Sequence, residues 1–379
     1  MPDTVHPLRW QPRYTLTPTI VRALMDIEAA RAVVDHTAFP PIVAEELRRR
    51  ARIRSTHYST RIEGNRLTLA EAEEVLSGQR TRFHGRERDV SEVRNYWQAL
   101  LRVEEWAARG TPLTEELIQR LHALVEHGGR ARPTPYRNGQ NVIRDSETGA
   151  IVYLPPEWTD VPVLMAGLVD WVEQATRENL PVPLIAGLAH YQFVTIHPYF
   201  DGNGRTARLL ATLLLHRGGY GLNGFFSLEE YHARDLAAYY SSLVTHPHHN
   251  YHEGRADADL TPWLEYFLEI LASVFGTALK EALQAAESGF MAEPETLRRL
   301  DPRARAVLGL FARQDKISAR DVAAALGLSE RMVRELLRDW VQEGFLEMAD
   351  ASRRGRAYTL SAVYRQFIGN LSAMPRRSE

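Results

Sequence analysis

Apolar side chains recur every three to four residues through Thr17–Ala38, Ile42–Arg54, Thr68–Ser77, Val90–Ala108, Thr114–Val125, Val161–Glu178, Pro183–Thr195, Thr206–His216, Ala233–Leu243 and Thr261–Ala286. That is the period of a helix with one buried face, so the chain is expected to be mainly α. One stretch breaks the period. In "YRNGQNVIRDSETGAIVYLPP", residues 136–156, the apolar Val142, Ile143, Ile151, Val152 and Leu154 flank the turn-rich "DSETG". This predicts a β-hairpin, ended by Pro155 and Pro156. "GFMAEPETLRRLDPRA", residues 289–304, reads as a linker or short connecting helix. Beyond it Ala319–Leu326 reads as one helix, Gly327 as a turn, Ser329 as the N-cap of a second helix ending near Gly344, and "FLEM" and "AYTL" as two strands. That order is a winged helix-turn-helix over 303–361. The expected organisation is an N-terminal helical region over 1–110, a helical core over 111–285, a linker over 286–302 and the winged-helix domain over 303–379, with no internal repeat.

Composition narrows the chemistry. The chain has 379 residues, 44% of them hydrophobic, enough for large cores in two or three domains. A net charge of -2 provides no global field for nucleic acid or an anionic membrane. The charge is unevenly spread: residues 303–379 carry 14 Lys/Arg against nine Asp/Glu, a net of +5, beside -7 for the remainder. No cysteine is present, which excludes disulfides, thiolate metal sites and cysteine nucleophiles. The N-terminus lacks the apolar core of a signal peptide and no apolar run reaches 18 residues, so a cytoplasmic protein without membrane contact is expected.

The densest chemistry lies in "HPYFDGNGRTAR", His197 to Arg208, which leads into the apolar "LLATLLL". Gly202 and Gly204 permit close backbone approach, and a helix starting near Arg205 offers unpaired N–H groups to an anion. Arg205 and Arg208, three apart on its first turn, are expected to face one polyphosphate. Asp201 suits a hard cation such as Mg²⁺ and Asn203 a phosphate oxygen. His197 is the group able to take a proton near neutral pH. The GK[ST] ending of a P-loop is missing.

With those residues in hand, the chain resembles the Fic family, whose signature HxFx(D/E)GNGRxxR stands here as His197, Tyr199, Asp201, Gly202, Asn203, Gly204, Arg205 and Arg208. Tyr199 departs from the usual Phe, and its hydroxyl requires a partner. "STRIEGN" at 59–65, the hairpin, "RDLAAYYSSL" and "DLTPWLEYFL" extend the similarity over roughly residues 10–285. The resemblance implies a Fic-type helical bundle that transfers AMP from ATP, with Mg²⁺, to a Ser, Thr or Tyr hydroxyl of a target protein. His197 would be the general base and Asp201 the Mg²⁺ ligand. Asn203, Gly202 and Gly204 would hold the phosphates, with Arg205 and Arg208 on the β- and γ-phosphates. It also implies that the hairpin, 136–156, is a flap on which a target, or a second copy of the chain, docks by adding a strand. Tyr239 and Tyr240 are candidates to line the adenine pocket.

"STRIEGN" further resembles an inhibitory motif, with Ser59, Glu63 and Gly64 at its defining positions. Its place before the catalytic motif implies an N-terminal inhibitory helix whose Glu63 pairs with Arg208 and competes with the ATP γ-phosphate. Two rivals stand beside transfer. One is a hydrolase that strips AMP from a modified protein on the same site; the other is a DNA-binding regulator whose Fic-like part senses nucleotide. "THPHHNYHEG" places His246, His248, His249 and His252 in a loop whose irregular spacing argues against a metal site. Arg331, Arg334 and Arg338 on the second helix, with Arg353, Arg354 and Arg356 on the wing, are candidate DNA contacts. A homodimer is also compatible with the sequence.

Overall fold

The computed structural model describes residues 10–369 except 38, 81, 130–131, 145–147, 293–299, 312–313, 327, 351 and 353–355. The described residues of Met1–Thr37 and Leu47–Ala282 make one compact unit and those of Ala38–Glu46 and Leu283–Glu379 a second. The boundary expected at 110/111 falls inside the first unit.

The first unit is built on helices α1 (Pro18–His36), α2 (Pro41–Ile62, from Leu47 on), α3 (Leu69–Ser77), α4 (Glu87–Ala108) and α5 (Glu115–His127), then α6 (Val161–Arg177), α7 (Val182–Ile196), α8 (Asn203–Arg217), α9 (Leu228–Arg234), α10 (Leu236–Ser242) and α11 (Thr261–Ala292, as far as Ala282). Their starts follow local chemistry. Thr17, Thr114 and Ser227 accept N–H groups of the first turn, and Thr68 with Glu71 closes a capping box. At the centre α7 packs on α8, with α4, α5 and α6 around them. From Pro183 to Ile196 only Val194 is not buried, and Arg205 to Leu215 is buried throughout. A helix buried all round is held by its neighbours rather than by its own amphipathicity, so these two fix where the connection between them, residues 197–202, must lie.

Four boundaries differ from expectation, one of them at α11, which runs to Ala292 and so into the linker expected over 286–302. α2 runs to Ile62 rather than stopping at Arg54, although its last turns are polar, because Ser55, Thr56, His57, Ser59 and Thr60 are buried inside the protein. α8 begins at Asn203, behind an N-cap at Gly202, rather than at Thr206. The helix expected over Ala233–Leu243 is two, because Asp235, with φ -133° and ψ 77°, ends α9 and caps α10.

The hairpin forms with β1 (Ile143–Arg144) antiparallel to β2 (Ile151–Tyr153), Ile143 opposite Tyr153 and Arg144 opposite Ile151. Of the expected "DSETG" turn, residues 145–147 lie outside the described residues. Leu154 N–H donates to the His249 carbonyl at 2.7 Å, and Tyr251 N–H to the Leu154 carbonyl at 3.1 Å, so the histidine-rich loop braces the hairpin root.

The second unit holds α12 (Pro302–Phe311), β3 (Ile317–Ser318), α13 (Ala319–Leu326), α14 (Glu330–Gln342), β4 (Leu346–Asp350), β5 (Ala357–Leu360) and α15 (Ala362–Gly369). Its antiparallel sheet has the order β3-β5-β4. Val307, Val322, Val333, Leu337, Trp340 and Leu360 share its own core, and Ser329 caps α14 as expected. Arg331, Arg334, Arg338 and Arg356 are exposed. Gly327, Arg353 and Arg354 lie outside the described residues. Among the described residues no helix is long and apolar enough to cross a membrane.

Candidate active site

The connection from α7 to α8 brings most of the candidate residues together. His197 ends α7 in the left-handed region, φ 52° and ψ 60°, with its N–H donating to Phe193 O at 3.0 Å. Its Nδ1 donates to the Val194 carbonyl at 3.3 Å. A carbonyl can only accept, so the proton sits on Nδ1 and Nε2 keeps a free lone pair. Burial pulls the pKa of His197 down to about 4, with Arg137 adding to the effect while the Val194 carbonyl, Glu63 and Asp201 oppose it. The imidazole is neutral at physiological pH and ready to accept a proton.

The loop closes on itself. Asn203, 3% exposed, accepts the Tyr199 N–H at 3.0 Å and donates to the Tyr199 carbonyl at 2.8 Å. Its amide is therefore engaged in shaping the loop, rather than turned outward to a phosphate as the sequence suggested. Gly202 sits at φ 76°, and a Cβ there would run into the Glu126 carboxylate and lie 3.1 Å from His122 Nε2. At Gly204 a Cβ would meet the Glu63 carboxylate and lie 3.2 Å from Arg208 Nη1. Both glycines are needed for close approach, one of them also for backbone conformation.

Two α5 residues that the sequence reading missed support the loop from beneath. His122 Nε2 donates to the Asp201 carbonyl at 2.9 Å while its ring stacks on Tyr199 at 3.6 Å between centroids. Glu126 pairs with Arg205 Nη2 at 2.9 Å. They are four residues apart, hence on one helix face, but nothing in the sequence says what that face meets. Tyr199 is 2% exposed, and among the described residues its hydroxyl lacks the hydrogen-bond partner its phenol was expected to need.

The two motif arginines, expected to face one polyphosphate, are engaged differently. Arg205, 2% exposed, pairs with Glu126, with Asp201 Oδ1 at 3.3 Å and with Glu92 at 3.9 Å. Arg208, 1% exposed, donates through Nε to Ser59 Oγ at 2.8 Å, and through Nη2 to the Ser59 carbonyl at 2.9 Å and to Glu63 Oε1 at 2.8 Å. Burial would pull the Arg208 pKa down, but Glu63, with Tyr239 and Tyr96, raises it overall. Among the described residues, Arg208 Nη1 and Arg205 Nε, though buried, have no hydrogen-bond partner. Gly64, φ 90°, turns the chain just after Glu63.

Asp201 is 59% exposed in its side chain and also meets Arg88 Nη2 at 3.3 Å. Among the described residues no group of three or more His, Asp or Glu is arranged to cage a metal. A single carboxylate still suits Mg²⁺, which is commonly held by one or two carboxylates together with substrate phosphates. The adjacent tyrosines separate. Tyr239 is 2% exposed, with its hydroxyl 3.0 Å from His190 Nε2 in a buried aromatic cluster, so it has no face to offer a base. Tyr240 is 47% exposed, and its hydroxyl donates to the Ile62 carbonyl at 3.4 Å, beside the end of α2. Among the described residues His246, His248, His249 and His252 belong to no metal cluster, and His252 lies 3.2 Å from Asp160.

The site is thus a helix N-terminus with a glycine-lined approach, a buried arginine that is paired with Glu63 yet keeps one unused N–H donor, and a neutral histidine at the start of the loop, a set of groups suited to an anionic ligand. Residues 112–215 match the model of the Fic/DOC family. It is 30% identical over 200 residues to the protein adenylyltransferase Fic of Drosophila willistoni, covering 52% of this chain and 39% of that one. The corresponding protein of Drosophila melanogaster is 32% identical over 165 residues, 43% of this chain and 32% of its own length. The chain thus spans well under half the length of these relatives. A crystal structure of a Fic family protein from Desulfovibrio desulfuricans G20 superposes with a TM-score of 0.58 at 28% identity, covering 93% of this chain and 99% of that one.

Proposed function

We propose that the protein transfers AMP from ATP to a hydroxyl side chain of a target protein and is held in check by Glu63. The observation that carries this reading is the free Nε2 of a neutral His197 beside a helix N-terminus whose buried Arg208 has an unused donor. The relatives named adenylyltransferase support the same reading. His197 takes the hydroxyl proton as the oxygen attacks the α-phosphorus, the bond to the β-phosphate oxygen breaks, and pyrophosphate leaves. The N–H groups at the start of α8 and Nη1 of Arg208 hold phosphate charge in place, which is most of what such a transfer needs. Mg²⁺, held by Asp201 and the phosphates, would neutralise charge on the leaving group. Tyr240 is the one of the tyrosine pair with a face for adenine. The flap, with Ile151 49% and Val152 38% exposed on β2, suits an extended target segment, from another protein or a second copy.

The test is incubation with α-labelled ATP and Mg²⁺, for the wild type and Glu63→Gly, with mass spectrometry for AMP adducts. Hydrolysis is the second reading, because the Glu63 carboxylate abuts Gly204 at the phosphate loop, where it could hold a water. Release of AMP from a labelled protein by wild type alone would favour it. For the second unit we propose a winged helix that binds duplex DNA through exposed Arg331, Arg334 and Arg338 of α14.

A further inference from the structure

Arg137 stands outside the catalytic motif, yet its side chain is 4% exposed and its partners are all main-chain carbonyls. Nε donates to the His197 carbonyl at 3.0 Å, Nη1 to the Gly139 carbonyl at 3.0 Å, and Nη2 to the Pro156 carbonyl. Its own N–H donates to the Pro198 carbonyl at 2.9 Å. One guanidinium therefore touches both limbs of the hairpin root and the residue that carries the free imidazole nitrogen. Neighbouring contacts follow the same seam: Asn141 Nδ2 donates to the Tyr199 carbonyl at 3.2 Å and Tyr153 OH to the Thr195 carbonyl at 2.7 Å.

The planar, five-donor fork of arginine explains why this residue type is used. Three carbonyls in different directions can be held by one rigid cation, and a lysine could not reach them all. Burying this cation costs desolvation, which depresses the Arg137 pKa although the charge of Glu157 opposes the shift. The left-handed φ of 52° at His197 is a second local cost, one that persists only where the surroundings over-determine it. The two meet at a single hydrogen bond.

We propose that Arg137 is a positioning residue that couples docking on the flap to the orientation of His197. The inference rests on the transferase reading. A target strand that pulls on the flap root shifts the Gly139 and Pro156 carbonyls, and the guanidinium carries that shift to the His197 main chain. Arg137 touches no group of the phosphate loop from Asp201 onward.

The experiment compares Arg137→Gln and Arg137→Lys with wild type in the full chain. Amide hydrogen exchange without nucleotide should quicken together at 138–156 and at 197–200 in the Gln variant, with α8 unchanged. At saturating ATP the labelling rate should fall roughly 10- to 100-fold, as expected for a misplaced base, while ATP affinity stays within about twofold because the phosphate contacts are untouched. Removing this cation should also move the acid limb of the pH–rate profile upward, since burial and then Arg137 depress His197 while Glu63 and Asp201 oppose them. The Lys variant, keeping the charge and fewer bonds, should fall between, and it carries the comparison if the Gln variant melts. Faster exchange in the flap with none at 197–200, or labelling at the wild-type rate, would overturn the coupling. Absence of AMP transfer by wild type would instead sink the transferase reading, and the exchange data would still decide the coupling.

Discussion

Glu63 Oε1 accepts a hydrogen bond from Arg208 Nη2 at 2.8 Å, and Ser59 accepts two more from the same guanidinium. An anionic phosphate arriving at Arg208 must displace or share that carboxylate. Glu63 is 30% exposed, so solvent screens the pair in part. A locked state favoured by about 2–3 kcal/mol leaves on the order of 1–3% of molecules competent. Glu63→Gly should therefore label itself or a target roughly 30- to 100-fold faster than wild type. Arg208→Ala in that background should cancel the gain. Rates of adduct formation for the two single variants and the double variant decide it.

His197→Ala should remove transfer and leave ATP binding nearly unchanged, because a general base supplies about 10²- to 10⁴-fold in rate and little ground-state affinity. With its pKa near 4, His197 stays neutral down to that range, so the labelling rate should hold well below pH 6.5 in the wild type. A rate halved near pH 6.5, with the protein still folded, would show that burial does not hold His197 neutral.

Acid should act on stability earlier than on this titration. Burial lowers His57, His122 and His197 to about 4 and His190 to about 3, whereas an unfolded histidine titrates near 6.5. The unfolded chain takes up protons that the folded one refuses. Stability is therefore full above about pH 6.5 and declines as pH falls through that value toward the folded pKa values, by several kcal/mol in all. Melting temperatures from pH 8 to 4.5 should drop steadily below about 6.5; a flat profile would contradict the neutral burial of these rings.

Gly202→Ala combines a left-handed φ of 76° with a collision against Glu126 and a 3.1 Å approach to His122. A loss of about 1–3 kcal/mol and a disordered α8 N-terminus should follow. Thermal melting and ATP titration should both show it. Retained nucleotide affinity would mean that the loop adapts at little cost.

If α14 reads DNA, Arg331→Ala with Arg338→Ala should weaken duplex binding, and affinity should fall steeply between about 50 and 200 mM salt. Gel-shift titrations across that range test it. No retardation at low salt would leave the second unit a protein-binding module.

Most helices were legible in the chain because the apolar period reports directly which face is buried, and Thr17, Thr68, Thr114 and Ser329 mark starts through local hydrogen bonds that need no distant partner. The 197–208 motif was legible for a similar reason: its glycines, cations and histidine lie within twelve consecutive residues. Periodicity does not say what a face is buried against. The end of α2 was misread because Ser55 to Thr60 look like surface, and only the burial of that run in the fold makes a polar helix end internal. Adjacent residues on α10 point in different directions, so one tyrosine joined the core and the other stayed exposed. Arg205 and Arg208 share a helix turn, yet acids 79 and 145 residues earlier in the chain, Glu126 and Glu63, decide what each guanidinium does. His122 and Glu126 act through such distant partners, and Arg137 does so at His197 and Pro156. Charge pairing and buried hydrogen bonds depend on separations of about 3 Å, and only the folded chain sets these between residues far apart in sequence.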